Sequence, residues 1–440
     1  MMIDGSRTFF QDLQIANPKQ YAERLPQSER LFPYYAGYSQ TFAANLLASV
    51  RAEPTAVVLD PWNGSGTTTR AAHHAGLNAV GFDLNPVMVL VGKAAMLSAR
   101  ERPSLVPLAK RLLDRVKRRA IRDGSADPLC RWLVPTSAGV VRAIENEINR
   151  TFVSHNKYVT LQDASSVSGV SDLAAFFYVA LFRTTRQILK EFIPTNPTWV
   201  KSPMTTRHRK RPALGFLLEI FMQQIESLSN ALCSTGISCA KETSQSSIIQ
   251  ATSEDLPLDD GTIDIVITSP PYCTRLDYAV ATAVELAVLG FEKSAFDSIR
   301  RSLMGTSTVS DSIETVRPQW GTTCAEFLDR LGAHPSKASS TYYLRNHLQY
   351  FSSLSSSLRE IRRVLKGDGL CFIVVQDSYY KELRNDVPKI AVEMAEREGL
   401  RLSRSQEFSA SKSMVGMNSR ARVHLSQRTN IESVLCFQAT

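Results

Sequence analysis

The chain has 440 residues, enough for a full α/β domain and a second domain or large insertion. Its hydrophobic fraction of 43% and charged fraction of 21% are those of a soluble globular protein, and no apolar run is long enough to span a membrane. The 51 Lys and Arg exceed the 42 Asp and Glu, and this net charge of +9 favours a polyanionic partner.

Residues 1–30 are polar and predict a loose arm or short helices without an apolar signal core, which indicates a reducing cytoplasm. Residues 32–50 predict an aromatic turn and a helix that leads into the first strand. The seven cysteines contain no CxxC pair and the histidines have no ligand spacing, so we expect neither a disulfide framework nor a metal.

A glycine-rich turn follows the first apolar strand. Gly64 and Gly66 let the backbone turn sharply and approach a ligand, and a helix begins after them with its amide hydrogens facing the site. No Gly-Lys-Ser/Thr follows and a third glycine is missing, which excludes the P-loop and the dinucleotide motif. Asp60 at the strand tip would repel a pyrophosphate and attract an ammonium group. The candidate binding residues here are Asp60, Pro61, Trp62, Asn63, Gly64, Ser65, Gly66, Thr67 and Thr68.

A second acid stands at the tip of the next strand. Asp83 is placed to accept hydrogen bonds from ribose hydroxyls, and Leu84 and Asn85 follow it as further candidate contacts. A glycine turn, an acid for an amine and an acid for a ribose together indicate a site for S-adenosylmethionine.

Residues 100–240 interrupt the α/β pattern with a basic, mainly helical insertion. Within it, residues 201–211 carry five cations and no acid, and the flanking prolines and glycine predict an exposed loop. Such a loop can contact a phosphate backbone, while a solvated charge run is the alternative. The candidate nucleic-acid contacts are Lys201, Arg207, Arg209, Lys210 and Arg211.

The apolar run at residues 263–268 predicts a buried strand that enters a tight turn, Ser269-Pro270-Pro271-Tyr272. The two prolines fix the backbone, so the Pro270 carbonyl is free of sheet pairing and can point into a cleft. Ser269 adds a side-chain oxygen and Tyr272 a flat aromatic face. Acceptor oxygens beside a ring suit a planar group with an exocyclic amine, and an ordinary strand-end turn is the alternative. Ser269, Pro270, Pro271 and Tyr272 are therefore the candidate catalytic residues.

The remainder of the chain predicts the completion of the sheet. The elements are, in chain order, a helix at 278–289, an irregular insertion at 292–340 able to contact DNA, a helix at 345–365, and final antiparallel strands near 400 and at 432–437. Residues 409–430 are polar and basic and predict a loop at the rim of the site.

The segments DPWNGSGTT, GFDLNP and TSPPY resemble the cofactor and catalytic motifs of the SPPY-type amino-methyltransferases of DNA, most of which are N4-cytosine enzymes. The resemblance covers roughly residues 30–98 and 245–440. It implies Tyr38 as a contact near the methionine end of the cofactor. Trp62 stands where the family usually has Phe, and residues 251–253 read Ala-Thr-Ser where it has Gly-Asp-Ser. Ser253 is the implied contact there, and Glu254 or Asp255 can substitute.

The resemblance also implies the fold: an α/β class I methyltransferase, Rossmann-like, with a mixed, mostly parallel seven-stranded sheet. Residues 31–99 and 241–440 would form the methyltransferase domain after an arm at 1–30. The insertion at 100–240 would be the target-recognition region, and 292–340 a smaller insertion.

The implied reaction transfers a methyl group from S-adenosylmethionine to the N4 amine of a cytosine flipped out of double-stranded DNA, with a restriction or defence-system protein as a candidate partner. N6-adenine methylation is the nearest alternative, and Ser269 in place of Asp or Asn favours cytosine. An RNA amino-methyltransferase and a cofactor-binding subunit without catalysis are further alternatives. Cys273 is not expected to be a nucleophile, because C5-cytosine enzymes place theirs in a Pro-Cys pair.

Overall fold

The computed structural model describes residues 5–19, 31–33, 37–119, 121, 124–154, 157–194, 199–234, 244–273, 276–309, 314–410 and 430–440. Its strands are β1 (Val57–Asp60), β2 (Asn78–Asp83), β3 (Ser246–Gln250), β4 (Ile263–Thr268), β5 (Leu365–Gln376), β6 (Ser378–Tyr380), β7 (Leu383–Asn385), β8 (Leu400–Ala410) and β9 (Asn430–Ala439).

The α-helices are α1 (Gly5–Asp12), α2 (Gln40–Val50), α3 (Thr67–His74), α4 (Pro86–Ala95), α5 (Arg102–Arg118), α6 (Pro135–Ile148), α7 (Ala164–Ser168), α8 (Asp172–Ile188), α9 (Leu214–Ser234), α10 (Tyr278–Ala281), α11 (Ala283–Val288), α12 (Lys293–Ser302), α13 (Gly321–Gly332), α14 (Leu344–Val364) and α15 (Val387–Arg397). Short 3-10 segments lie at Ala99–Glu101, Pro128–Arg131, Lys190–Phe192, Thr206–His208 and Pro318–Trp320, and π segments at Asn149–Val153 and Ser339–Tyr343.

A seven-stranded sheet in the order β3-β2-β1-β4-β5-β9-β8 forms the centre of the molecule. The five strands β1 to β5 are parallel, and β9 is antiparallel to both β5 and β8. The order of the strands reverses between β1 and β4, and in doubly wound sheets ligands bind beside such a reversal, at the carboxyl ends of the strands. The predicted Rossmann-like, mostly parallel sheet and its antiparallel finishing hairpin are confirmed.

Alternate residues of the central strands enter two different cores, as expected for a sheet covered on both faces. Ile265 and Ile267 pack with Phe42 of α2, whereas Val266 packs with Phe351 of α14. This continuous burial explains the unbroken apolar run that the sequence shows before the proline turn.

The helical insertion shares one core with the rest of the molecule. Phe177 of α8 and Leu217 of α9 are fully buried in the same cluster as Val89 of α4 and Val284 of α11. These helices lie against the sheet domain, and the role of the insertion as a target-recognition region stays a prediction. Among the helices that the structure describes, none has the length and apolar content to cross a bilayer.

The expectation for the smaller insertion needs correction. Residues 292–340 are not irregular, because α12 and α13 lie there; their many Ser and Thr residues have weak helix propensity, which tertiary packing overrides. Trp320 is fully buried in the core beside α14 and cannot contact DNA. The described part of the N-terminal arm contains the short helix α1, one of the two predicted alternatives, and it is packed: Arg404 of β8 donates hydrogen bonds to the carbonyls of Phe10 and Leu13 at 2.9 and 3.0 Å. Residues 411–429, most of the predicted rim loop, lie outside the described residues.

Candidate active site

The glycine turn and the proline turn meet in one cleft at the carboxyl edge of the sheet. They follow β1 and β4, which are hydrogen-bonded neighbours. Of the predicted site residues, those that line the cleft are Tyr38, Asp60, Pro61, Trp62, Asn63, Gly64, Ser65, Thr67, Asp83, Leu84, Asn85, Ser253, Ser269, Pro270, Pro271 and Tyr272. Gly66 and Thr68 are not among the lining residues. The topology therefore brings the candidate cofactor and catalytic residues together across a single opening.

Asp60 is held by a buried network of hydroxyl groups. Its Oδ1 accepts hydrogen bonds from the Thr268 hydroxyl at 2.6 Å and the Trp62 amide at 3.1 Å, and its Oδ2 accepts from Thr68 at 2.6 Å and Tyr38 at 3.4 Å. Burial raises the pKa of Asp60, and these hydrogen bonds oppose that rise. Since these four donors occupy both oxygens, Asp60 and Thr68 fix the ends of β1 and β4 relative to each other. A contact from Asp60 to an ammonium group stays a prediction.

The glycine turn has the backbone conformation that its sequence predicts. Gly64 and Gly66 have φ angles of 49° and 82°, in the left-handed region that favours glycine. A Cβ on Gly66 would also approach the backbone of Gly92 in α4 to 3.2 Å. The Asn63 side chain turns away from the opening, because a Cβ on Gly81 would lie 2.5 Å from its Cγ. Asn63 is therefore a lining residue of the cleft whose side-chain amide packs against Gly81 of β2.

Asp83 closes the turn from the tip of β2. Its Oδ2 accepts a hydrogen bond from the Gly64 amide at 3.0 Å, and its Oδ1 accepts from the Asn85 amide at 2.8 Å. Each oxygen keeps one further acceptor position, as two adjacent ribose hydroxyls require. Burial raises the pKa of this carboxyl to about 7.

The wall after β3 carries the residues that depart from the family pattern. Ser253 lines the cleft, but its hydroxyl shares a 2.8 Å hydrogen bond with Ser357 and is buried. Glu254 also lines the cleft, whereas Asp255 does not. Of Glu254 and Asp255, the two predicted substitutes for the Ser253 contact, the geometry thus favours Glu254.

The proline turn presents its polar groups to the same opening. Ser269, Pro271 and Tyr272 are half-buried, and among the described residues no hydrogen bond engages the Pro270 carbonyl oxygen. The Tyr272 hydroxyl donates a 2.7 Å hydrogen bond to Glu432 of β9. An unengaged carbonyl beside a hydroxyl and an aromatic ring can hold an amine on a planar group.

Comparison with known proteins agrees with this geometry. Residues 263–439, which contain the proline turn, match the family model for N6/N4 enzymes that is described as DNA methylase. Over these residues the chain is similar to the N6/N4 amino-methyltransferases of DNA. The Type II methyltransferase M.BsoBI of Geobacillus stearothermophilus is 24% identical over 295 residues, which are 63% of this chain and 56% of that protein. The Type II methyltransferase M.AvaI of Nostoc sp. (strain PCC 7120 / SAG 25.82 / UTEX 2576) is 23% identical over 402 residues, which are 85% of this chain and 79% of that protein.

Among solved structures, the rRNA methyltransferase aviRa from Streptomyces viridochromogenes covers 96% of this chain and 96% of its own, with 11% identity. Its TM-score is 0.29, so the fold assignment rests on the strand order. The matched family model and the strand order of the sheet together imply S-adenosylmethionine as the methyl donor. The donor set fits it, because Asp83 keeps acceptor positions for a ribose beside the turn at Gly64.

Binding of the methyl donor to this protein should depend on pH through Asp83. Ribose hydroxyls donate hydrogen bonds, so they favour the ionised carboxylate and lower its pKa on binding. Because the pKa without ligand is about 7, the dissociation constant should fall several-fold as pH rises from about 6 to 7.5. Isothermal titration calorimetry in buffers of different ionisation enthalpy should show proton release. Asp83→Asn should bind more weakly, without this pH dependence, and a flat wild-type profile would contradict the assignment.

Arg186 is a cleft residue that the sequence did not indicate. It lies on α8 of the insertion, donates paired hydrogen bonds to Glu285 of α11, and stacks over the ring of Phe32 at 5.0 Å. Ninety-nine positions separate the two ion-pair partners, and no local motif marks either. The insertion therefore contributes directly to the wall of the site.

Cys273 is unsuited to be a nucleophile. Burial raises the pKa of its thiol to about 12, so the thiolate is scarce at neutral pH. In the described part of the chain, no group of three His, Cys, Asp or Glu side chains is arranged to hold a metal.

The predicted nucleic-acid loop is exposed and well anchored. Trp132 donates an indole hydrogen bond to the Lys201 carbonyl at 2.8 Å, and the Lys210 amide donates to the Trp132 carbonyl at 2.8 Å. Lys201, Arg207 and Arg211 are exposed, whereas Lys210 pairs with Glu191 at 2.6 Å. Arg209 is half-buried. The loop lies between α8 and α9 in the chain, and Arg186 near the end of α8 lines the cleft.

Proposed function

We propose that this protein transfers a methyl group to the N4 amine of a cytosine extruded from double-stranded DNA. The observation that carries the proposal is the meeting of the Ser269–Pro270 acceptors with the turn at Gly64 in one cleft. Each turn alone has a structural explanation. Together they form a donor site and an amine site on neighbouring strands.

The chain's own residues hold and orient the amine. A cytosine N4 is a poor nucleophile because its lone pair is delocalised into the ring. Hydrogen bonds from its two hydrogens to the Ser269 hydroxyl and the Pro270 carbonyl would localise that lone pair, and Tyr272 would stack on the base. The base must leave the duplex to reach this recessed turn. The nitrogen forms the new bond to carbon and then loses a proton, which Ser269 can pass to solvent.

Bound S-adenosylmethionine supplies an electrophilic methyl group whose bonding electrons remain on sulfur after transfer. The residues of the glycine turn and Asp83 would bind it, and Asp60 would keep that turn in register with the proline turn. The chain is expected to act by position and polarity, without a covalent enzyme intermediate.

Ser269 supports cytosine over adenine, since the hydroxyl replaces the Asp or Asn carbonyl of the related turns. The test is transfer of tritium from labelled S-adenosylmethionine to unmethylated plasmid DNA, followed by nucleoside analysis. N4-methylcytosine would support the proposal. N6-methyladenine would assign the adenine reaction, label in RNA would assign the RNA reaction, and no label with intact cofactor binding would assign a non-catalytic subunit.

We further propose that the loop at 201–211 contacts the DNA backbone, and that a restriction or defence-system protein acts with this cytoplasmic enzyme. Removing Arg207 and Arg211 together should weaken DNA binding and reduce the slope of log K against log salt by about 2, because each phosphate contact contributes about 0.9. Fluorescence anisotropy at several salt concentrations measures both.

A matched control removes two cations near β8, the edge strand at one end of the sheet. Arg397 and Arg401 are exposed there, at the end of α15 and the start of β8. Their double substitution by alanine lowers the net charge equally but should leave the slope close to wild type. Equal slopes for both double variants would show that the loop makes no specific backbone contact.

A further inference from the structure

The hydroxyl of Tyr272 belongs to a polar cluster whose other members lie outside the proline turn. Glu432 Oε1 accepts the hydrogen bond from Tyr272 at 2.7 Å and forms an ion pair with Lys19 Nζ at 3.1 Å. The same Lys19 ammonium donates a 3.0 Å hydrogen bond to Gln376 Oε1 and lies over the Tyr272 ring, 5.3 Å from its centroid. One carboxylate and one ammonium thus contact the hydroxyl and one face of the same ring.

The residues around Tyr272 come from distant parts of the chain. Glu432 and Gln376 face each other on the antiparallel strands β9 and β5. Lys19 belongs to the N-terminal segment, which is held in place because the Ser39 amide donates a 2.9 Å hydrogen bond to the Pro18 carbonyl. The position of the ammonium is therefore set by the fold.

Burial of Glu432 at this position has an unfavourable desolvation free energy. Its side chain is only 2% exposed, and within the described residues its Oε2 has no hydrogen-bond partner. A buried carboxylate with one cation and an unpaired oxygen is less favourable for stability than a well-packed apolar side chain. Glu432 Oε1 accepts the Tyr272 hydrogen bond and pairs with the Lys19 ammonium, so one oxygen positions two groups at the ring.

We propose that Glu432 and Lys19 are positioning residues that hold Tyr272 with one ring face covered and the other open to the target base. Glu432 anchors the hydroxyl, which fixes the plane of the ring. Lys19 occupies one face through a cation–π contact. This inference rests on the proposed function, because it deepens the role of Tyr272 as the stacking ring.

The test compares single-turnover methyl transfer with cofactor affinity in full-length variants, using tritiated S-adenosylmethionine and unmethylated plasmid DNA. Tyr272→Phe and Glu432→Ala should each lower the transfer rate by about tenfold to a hundredfold, since small misplacements of reacting groups cost rates of this order. The double variant should be no slower than either single variant, because both remove the same hydrogen bond. The dissociation constant for S-adenosylmethionine, measured by calorimetry, should stay at its wild-type value.

Two conservative variants separate positioning from folding. Glu432→Gln keeps an acceptor oxygen and should recover most of the rate lost in Glu432→Ala, and Lys19→Met should lower the rate without changing cofactor affinity. Glu407→Ala removes an exposed acid from neighbouring β8 and is the matched control with wild-type rate. Additive losses, wild-type rates in Tyr272→Phe and Glu432→Ala, or equal losses in rate and cofactor affinity would each overturn the inference. An inactive wild-type protein would instead overturn the proposed function.

Discussion

Changing Ser269 and Pro270 together to alanine should abolish methyl transfer while cofactor binding persists. The substitution removes the Ser269 hydroxyl and releases the fixed φ angle that orients the Pro270 carbonyl. Both acceptors for the amine are then lost or misdirected. Loss of one preorganised polar contact lowers a catalysed rate by about a hundredfold to a thousandfold, so we expect at least a thousandfold loss here. Tritium transfer to DNA measures the rate.

Cofactor binding is the internal control for that experiment. The contacts proposed for the cofactor come from the glycine turn and Asp83, neither of which shares a hydrogen bond with Ser269 or Pro270 in the described residues. Calorimetry with S-adenosylmethionine should therefore give a dissociation constant near that of the wild type. Turnover at the wild-type rate would refute the roles of both residues. If the double variant loses both cofactor binding and turnover, the proline turn is instead a structural support of the cofactor site.

The sequence was most informative where chemistry and topology coincide. The turns after β1, β2 and β4 are short and follow buried apolar strands, so local patterns placed them on the sheet. Parallel strands then bring their carboxyl ends to one edge, which explains why Asp60, Asp83 and Ser269 line one cleft. The positive φ angles at Gly64 and Gly66 likewise follow from a local requirement.

The contacts that the sequence did not reveal join distant positions. Arg186 and Glu285 form one ion pair across the insertion, and Lys19, Glu432 and Tyr272 form one cluster across almost the whole chain. A single Arg, Lys or Glu in an element carries no signal of its partner. Such pairs are defined by tertiary packing, which a periodic pattern of apolar residues constrains only loosely.

Asp60 illustrates a partial success. Its place at the tip of β1 followed from the sequence, but the four donors that surround it come from α3, β4, the glycine turn and the residue before the α2 cap. The charge alone suggested a ligand for an ammonium group. The surrounding hydroxyls show that the same carboxylate also joins two strand ends.

Breaking the ion pair between Arg186 and Glu285 should have the largest effect on stability. Both side chains are buried, at 10% and 0% exposure, and Arg186 also donates a 2.6 Å hydrogen bond to the Ala281 carbonyl. Glu285→Ala leaves the guanidinium buried without its counter-ion, and such a change lowers the free energy of unfolding by about 3–5 kcal/mol. Urea unfolding followed by circular dichroism measures the loss. Asp114→Ala is the control, because its pair with Lys117 is 58% exposed on both sides and should contribute less than about 1 kcal/mol.

A second variant separates the ion pair from simple packing. Arg186→Met with Glu285→Leu replaces both charges by apolar groups of similar size, and such replacements of buried pairs are often neutral in stability. The double variant should therefore unfold near the wild-type urea concentration, although α8 then presents no cation to the cleft. A loss of unfolding free energy in Glu285→Ala as small as that in Asp114→Ala would show that the ion pair does not stabilise the contact between α8 of the insertion and α11. A double variant as unstable as the single one would assign the effect to side-chain shape, because the unpaired charge would no longer be present.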